Sequence, residues 1–124
     1  MKDILFVVDD SDTNLSQADL ALGSHYTVIT MSSAQRMFGL LEKLRPKLIL
    51  LDIEMPEQSG FEAMKQLAAD ERSRDIPVVF LSAQNGHEIE SLCSESGAMG
   101  LIGKPFEPRD LLERVGKYLA MGHP

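Results

Sequence analysis

Apolar clusters of four or five residues recur along the chain, and between them apolar residues fall three or four positions apart. Ile4-Leu5-Phe6-Val7-Val8 is rich in β-forming residues and stops at Asp9-Asp10. A helix is predicted over Thr13–Leu22, with Leu15, Ala18 and Leu22 on one face and Gly23 as its stop. A shorter strand follows over Tyr26–Thr30. Ser32 or Ser33 can cap the next helix, which carries Met37, Leu40, Leu41 and Leu44 on one face. It ends before Pro46, since proline disfavours helical geometry in the residue preceding it. Leu48–Leu51 reads as a buried strand closed by Asp52, Gly60–Ala69 as a helix and Asp70–Asp75 as a solvated polar loop. Pro77–Leu81 is a fourth strand, with proline at its first position, where a missing N–H costs least. Glu88–Ser96 is a weak helix ended by Gly97, and Gly100–Gly103 is a short fifth strand. Pro108–Met121 is a last helix with Leu111, Leu112, Val115 and Leu119 turned inward.

Five strand–helix units with continuously apolar strands predict an α/β fold with a doubly wound parallel sheet buried on both faces. Its crossovers are right-handed, and its functional crevice lies beyond the carboxyl ends of the strands. A chain of 124 residues without a linker or repeat suits one domain over 1–124. Charged residues make up 25% and hydrophobic ones 44%, an ordinary globular balance. The net charge of −7, with no basic patch and no Trp, argues against direct nucleic-acid binding. Cys93 is the single cysteine, so an intrachain disulfide is excluded and a zinc site lacks partners; it reads as a small, partly buried apolar residue. His25, His87 and His123 read as surface residues, and the seven Met as fillers at or near the core. Ile4–Val8 is the longest apolar run, far short of the ~18 residues that span a membrane and too short for a signal peptide. The expected compartment is the cytoplasm. The Met1 start favours a stand-alone protein, and the tail 121–124 fits a domain of a longer chain equally well.

The strand ends concentrate charge. Asp9 and Asp10 follow the first strand, Asp52 the third, Ser82 the fourth and Lys104 the fifth. Three carboxylates at ~4.5 Å repel pairwise by roughly 4 kcal/mol at an effective dielectric of ~20, and Lys104 offsets only one charge. All-oxygen donors of this kind suit Mg²⁺ or Mn²⁺. Carboxylates, a Lys and a hydroxyl around such an ion make a phosphoryl-transfer site.

The chain also resembles the receiver domains of two-component response regulators, the chemotaxis regulators among them. The matching motifs are Val7-Val8-Asp9-Asp10-Ser11, Leu50-Leu51-Asp52-Ile53-Glu54-Met55-Pro56 with Gly60, Val79-Phe80-Leu81-Ser82-Ala83, and Gly97-Ala98 leading to Lys104-Pro105-Phe106. They occur in family order over essentially the whole chain, Ser82 and Lys104 lying 22 positions apart. The resemblance implies a flavodoxin-like five-stranded sheet in order 2-1-3-4-5 with five flanking helices. It implies a phosphorylation switch rather than a turnover enzyme. Asp52 would accept a phosphoryl group from a histidine kinase, phosphotransfer protein or small phosphodonor. Asp10 would bind Mg²⁺ directly, Asp9 through a water, and Asp52 and the Glu54 backbone carbonyl would complete the set. Ser82 would turn toward the phosphoryl group, and Lys104 would pair first with Asp52 and then with a phosphoryl oxygen, with a cis Lys104–Pro105 bond allowed. An output domain or protein would read the change, with a monomer or weak dimer forming through the face of the fourth helix, fifth strand and fifth helix.

Three positions depart from the pattern or leave it open. Leu101 stands where relatives often carry an aromatic switch residue, while Glu54 and Gln84 occupy positions that tune phosphoryl lifetime in the family. Plainer readings exist for single residues: Asp10, Ser11 and Asp12 could cap a helix, and Asp52 could start a turn. Other classes with related features are an aspartate-nucleophile Mg²⁺ phosphatase or phosphotransferase, a constitutive receiver-like interaction module and a flavin-binding flavodoxin relative. The first needs a substrate-covering cap for which the chain is short. Intact acidic, hydroxyl and Lys positions argue against the second, and acidic residues after the first strand against the third.

Overall fold

Strand alternation decides how the layers assemble. In the computed structural model, which describes residues 2–121, the strands are β1 (Ile4–Val8), β2 (Thr27–Met31), β3 (Leu48–Asp52), β4 (Val78–Ser82) and β5 (Gly100–Gly103). They form one parallel sheet in the order β2-β1-β3-β4-β5. Phe6, Val8, Ile49, Leu51, Val78 and Phe80 pack on α2 (Ala34–Leu41), α3 (Gly60–Ala69) and α4 (His87–Glu95). Leu5, Val7, Leu48, Leu50, Val79, Leu81 and Ile102 pack on α1 (Asp12–Leu22) and α5 (Pro108–Met121). Both faces of each inner strand are therefore dry, which is why these strands read as unbroken apolar runs.

The period of two carries on to the strand ends. Asp9 continues the Leu5, Val7 series, Asp52 the Leu48, Leu50 series and Lys104 follows Ile102, so all three share the α1/α5 side. Ser82 continues the Val78, Phe80 series on the opposite side. Pairing of Val8 with Leu51, Asp52 with Leu81 and Ser82 with Gly103 brings the carboxyl ends level.

Element boundaries differ from the sequence pattern where specific hydrogen bonds intervene. Tyr26 N–H closes on the Leu22 carbonyl at 2.9 Å, so β2 starts at Thr27, and Asp9 N–H on the Met31 carbonyl extends it past Thr30. Pro77 lends only its carbonyl to Ile49, and β4 runs from Val78 through Ser82. α2 stops at Leu41, earlier than expected, because Lys43 and Leu44 N–H both turn back to the Leu40 carbonyl. Leu44 still packs at the core edge. α4 begins at His87 rather than Glu88, after Gly86 at φ +111°, and buries only Ile89 and Cys93. Ser33, not Ser32, caps α2. Cys93 is more buried than expected, His25 and His87 are exposed, and His123 lies outside the described residues. Among the methionines, Met31 and Met37 are core residues, whereas Met121 is exposed. The 70–75 segment is not wholly solvated: Ser73 is buried and its hydroxyl donates to the Leu67 carbonyl at 2.8 Å. Among the described residues no helix is long and apolar enough to cross a membrane.

Candidate functional site

Asp9 and Asp52 are both buried, and Lys104 lies between them. Its Nζ donates to Asp9 Oδ2 at 3.2 Å and to Asp52 Oδ1 at 3.0 Å. Asp9 is fully buried and both of its oxygens are engaged. Oδ1 accepts from Ser11 N–H at 2.9 Å, and Oδ2 also accepts from the Asn14 side-chain amide at 3.2 Å. Asp52 differs: Oδ1 accepts from Lys104 and from Glu54 N–H at 3.1 Å, while Oδ2 accepts nothing among the described residues. No fully buried side-chain polar atom among those residues lacks a partner, so Asp52 Oδ2 reaches solvent.

Local sequence explains these positions. Ser11 is the N-cap of α1, accepting from Asn14 N–H at 3.3 Å. The plainer capping role thus belongs to Ser11, and Asp10 is left exposed beside the two buried carboxylates with no side-chain partner among the described residues. Gly60 opens α3 directly behind Asp52. A Cβ there would sit 2.5 Å from the Asp52 carbonyl oxygen and 2.8 Å from Ile53 Cα, so only glycine lets the helix approach this strand end. A Ser59/Glu62 capping box starts the same helix, a signature written in the sequence as Ser-x-x-Glu. Lys104 is delivered by the end of β5, where its N–H donates to the Ser82 carbonyl at 2.8 Å and the Lys104–Pro105 bond is cis.

Ser82 is buried, and its place in the Val78, Phe80 series assigns it to the other face of the sheet from Asp52. Its Oγ accepts from Gln84 N–H at 2.9 Å, and its own proton has no acceptor among the described residues. Gln84 and Glu54 expose their side chains. Leu101 is half-buried on the α4 side, opposite Phe80 in the ladder.

Asp9, Asp10 and Asp52 each offer a carboxylate oxygen within 4.8 Å of the others'. Each ionised pair repels by about 3–4 kcal/mol at an effective dielectric of about 20. Burial pushes the Asp52 carboxyl up to about 6; the Lys104 hydrogen bond opposes this shift and the Asp9 charge adds to it. For Lys104, burial favours the neutral amine, but the Asp52 hydrogen bond and the charges of Asp9 and Asp52 outweigh it and raise the ammonium above its ordinary value. Excess negative charge and hard oxygen donors fit a small divalent cation. Sequence reasoning brought Asp9, Asp10, Asp52 and Lys104 to one place correctly and kept Ser82 nearby. It missed Asn14, whose only signal is its place in the first turn after the acidic pair.

Residues 5–116 match the response regulator receiver domain family. The chain belongs to that family. Receiver domains are phosphorylation-dependent switches of two-component signalling, non-enzymatic in general, and bind Mg²⁺ at an acidic pocket. They interact with histidine kinases or phosphotransfer proteins and with output domains. This receiver is 33% identical over 116 residues to the polar-differentiation response regulator DivK of Brucella ovis, covering 93% of the chain and 94% of DivK. It is also 33% identical over 115 residues to a Vibrio cholerae probable cyclic di-GMP phosphodiesterase, covering 93% of the chain but only 26% of that longer protein. Its fold superposes on the chemotaxis response regulator CheY4 of Vibrio cholerae with a TM-score of 0.88 at 25% identity, covering 95% and 99% of the two chains.

Proposed function

We propose that residues 1–124 act as one receiver in which Asp52 is the phosphoryl acceptor. The observation that carries this reading is Oδ2 of Asp52, which accepts no hydrogen bond among the described residues. Asp9, equally buried, already accepts a protein donor on each oxygen. In the transfer, Oδ2 bonds to the donor phosphorus as the donor's P–N bond breaks, its electron pair staying on the imidazole nitrogen of a kinase or phosphotransfer histidine. A small acyl phosphate would lose its P–O bond in the same way. Lys104 already touches the sister oxygen and is placed to follow charge onto a phosphoryl oxygen, and the unspent Ser82 proton can turn to another. Asp10 and Asp52, the Glu54 carbonyl and Asp9 through a water would hold Mg²⁺ or Mn²⁺, which when bound neutralises charge on the phosphoryl oxygens.

The proposed partners are a sensor kinase or phosphotransfer protein on the input side and an output domain or protein on the other, in the cytoplasm. Self-phosphorylation and self-dephosphorylation are the only chemistry proposed. The α4–β5–α5 face, with Leu92 exposed and Leu101 half-buried, is the proposed output or weak-dimer surface. Glu54 and Gln84 flank the approach to Asp52 and Ser82 and are proposed to set phosphoryl lifetime. Acetyl phosphate with Mg²⁺ should add one phosphoryl mass that hydroxylamine removes. Equal labelling of Asp52→Asn would refute the assignment.

A further inference from the structure

Asp9 has a side-chain donor besides Lys104. Its fully buried carboxylate is held by Ser11 N–H on Oδ1 and by two donors on Oδ2, Lys104 Nζ and Asn14 Nδ2, each at 3.2 Å. The Lys104 ammonium is shared with Asp52, and phosphoryl transfer gives it a third claimant. A buried carboxylate whose oxygen loses its donor is costly, so an ammonium that alone satisfied Oδ2 would be trapped there. The Asn14 amide does not move with Lys104, because it stands on the first turn of α1, anchored by buried Leu15, Ala18 and Leu22.

We propose that Asn14 is a positioning residue: its side-chain amide fixes Asp9 independently of Lys104, so that the ammonium can leave Asp9 for a phosphoryl oxygen without releasing a buried carboxylate. The inference rests on Asp52 being the phosphoryl acceptor. The amide is also neutral. A cation at position 14 would compete with the site's own cation for Asp9, and an acid would add a fourth carboxylate. Helix capping does not require this side chain, since Ser11 caps through the Asn14 backbone N–H.

Two measurements test it. The first is a double-mutant cycle on Asn14→Leu and Lys104→Met, read by urea unfolding in the presence of a chelator. With Lys104 in place, Oδ2 keeps a donor after Asn14→Leu; with Lys104→Met it keeps none. The change should therefore lower the folding equilibrium constant by a factor roughly three- to ten-fold larger in the Lys104→Met background. Equal factors in both backgrounds overturn the proposal. The second is the Mg²⁺ dissociation constant by calorimetry. Asn14→Leu should weaken it by roughly three- to ten-fold, and Asn14→His, which keeps an N–H donor at the same branch point, should restore it. Leu and His variants that both bind Mg²⁺ like the parent also overturn it. A parent that binds no Mg²⁺ counts against the proposed phosphorylation site, and the metal-free cycle still decides Asn14.

Discussion

Replacing Asp52 by Asn should make the metal-free protein more stable at neutral pH while abolishing phosphorylation. Burial raises the folded-state value of Asp52 from 3.8 to about 6. At about 1.36 kcal/mol per tenfold change in proton affinity, the ionised carboxylate burdens the folded state by about 3 kcal/mol. The amide of the Asp52→Asn variant keeps an acceptor oxygen for Lys104 but loses the charge attraction, so a gain of about 2–3 kcal/mol is expected, or roughly 6–12 °C in melting temperature for a domain of this size. The sign follows from the direction of the shift. The raised folded-state value means that proton binding favours folding, an effect fully present below pH 3.8 and lost as pH rises through about 6. The parent-minus-variant difference should therefore be largest above pH 7 and shrink to near zero by pH 4. Urea melts followed by circular dichroism from pH 4 to 8 in chelator would trace it. Mg²⁺ at ten times its dissociation constant should stabilise the parent by about 1.4 kcal/mol and the variant by much less. A variant no more stable than the parent at pH 7.5 in chelator, or a difference flat with pH, would refute the argument from desolvation and charge crowding.

Further expectations concern the surrounding framework. Lys104→Arg keeps the charge but replaces a compact ammonium bridging two carboxylates with a planar fork, so output should fall as it does for Lys104→Ala while labelling by acetyl phosphate persists; wild-type output from Lys104→Arg in a reporter assay would reduce the residue to charge balance. Gly60→Ala should destabilise the fold by about 2–4 kcal/mol and slow phosphorylation, because its Cβ would overlap the Asp52 carbonyl and β3 must shift; an unaltered urea midpoint would count against that overlap. Phosphorylation should displace the segment Ala83–Glu88 and leave Leu101 nearly unmoved, since the former is exposed and loosely capped and the latter is packed on the α4 side; free and beryllofluoride-bound structures with a still loop and an inward-rotated Leu101 would overturn this.

Much of the molecule was legible because its signals are local. The apolar runs of β1, β3 and β4, the helical spacing of Leu15, Ala18 and Leu22 and the acidic and basic residues at strand ends each show within a few positions of chain. Those residues determined an α/β sheet with its charged groups at one edge, and the resemblance to receiver domains supplied the strand order. Boundaries were less legible, since β2 and α2 end where individual hydrogen bonds from Asp9, Lys43 and Leu44 place them. The inventory of the site was visible, but the state of each atom was not. That Asp52, unlike Asp9, keeps one oxygen without a donor among the described residues, that Ser82 accepts from the Gln84 backbone and that Asn14 joins the site all depend on partners between two and ninety-five positions apart. Only packing of α1 against β1, and the place of β5 beside β4 in the sheet, set the longer-range distances. Burial then forces each desolvated polar atom to find whichever partner the fold brings within reach.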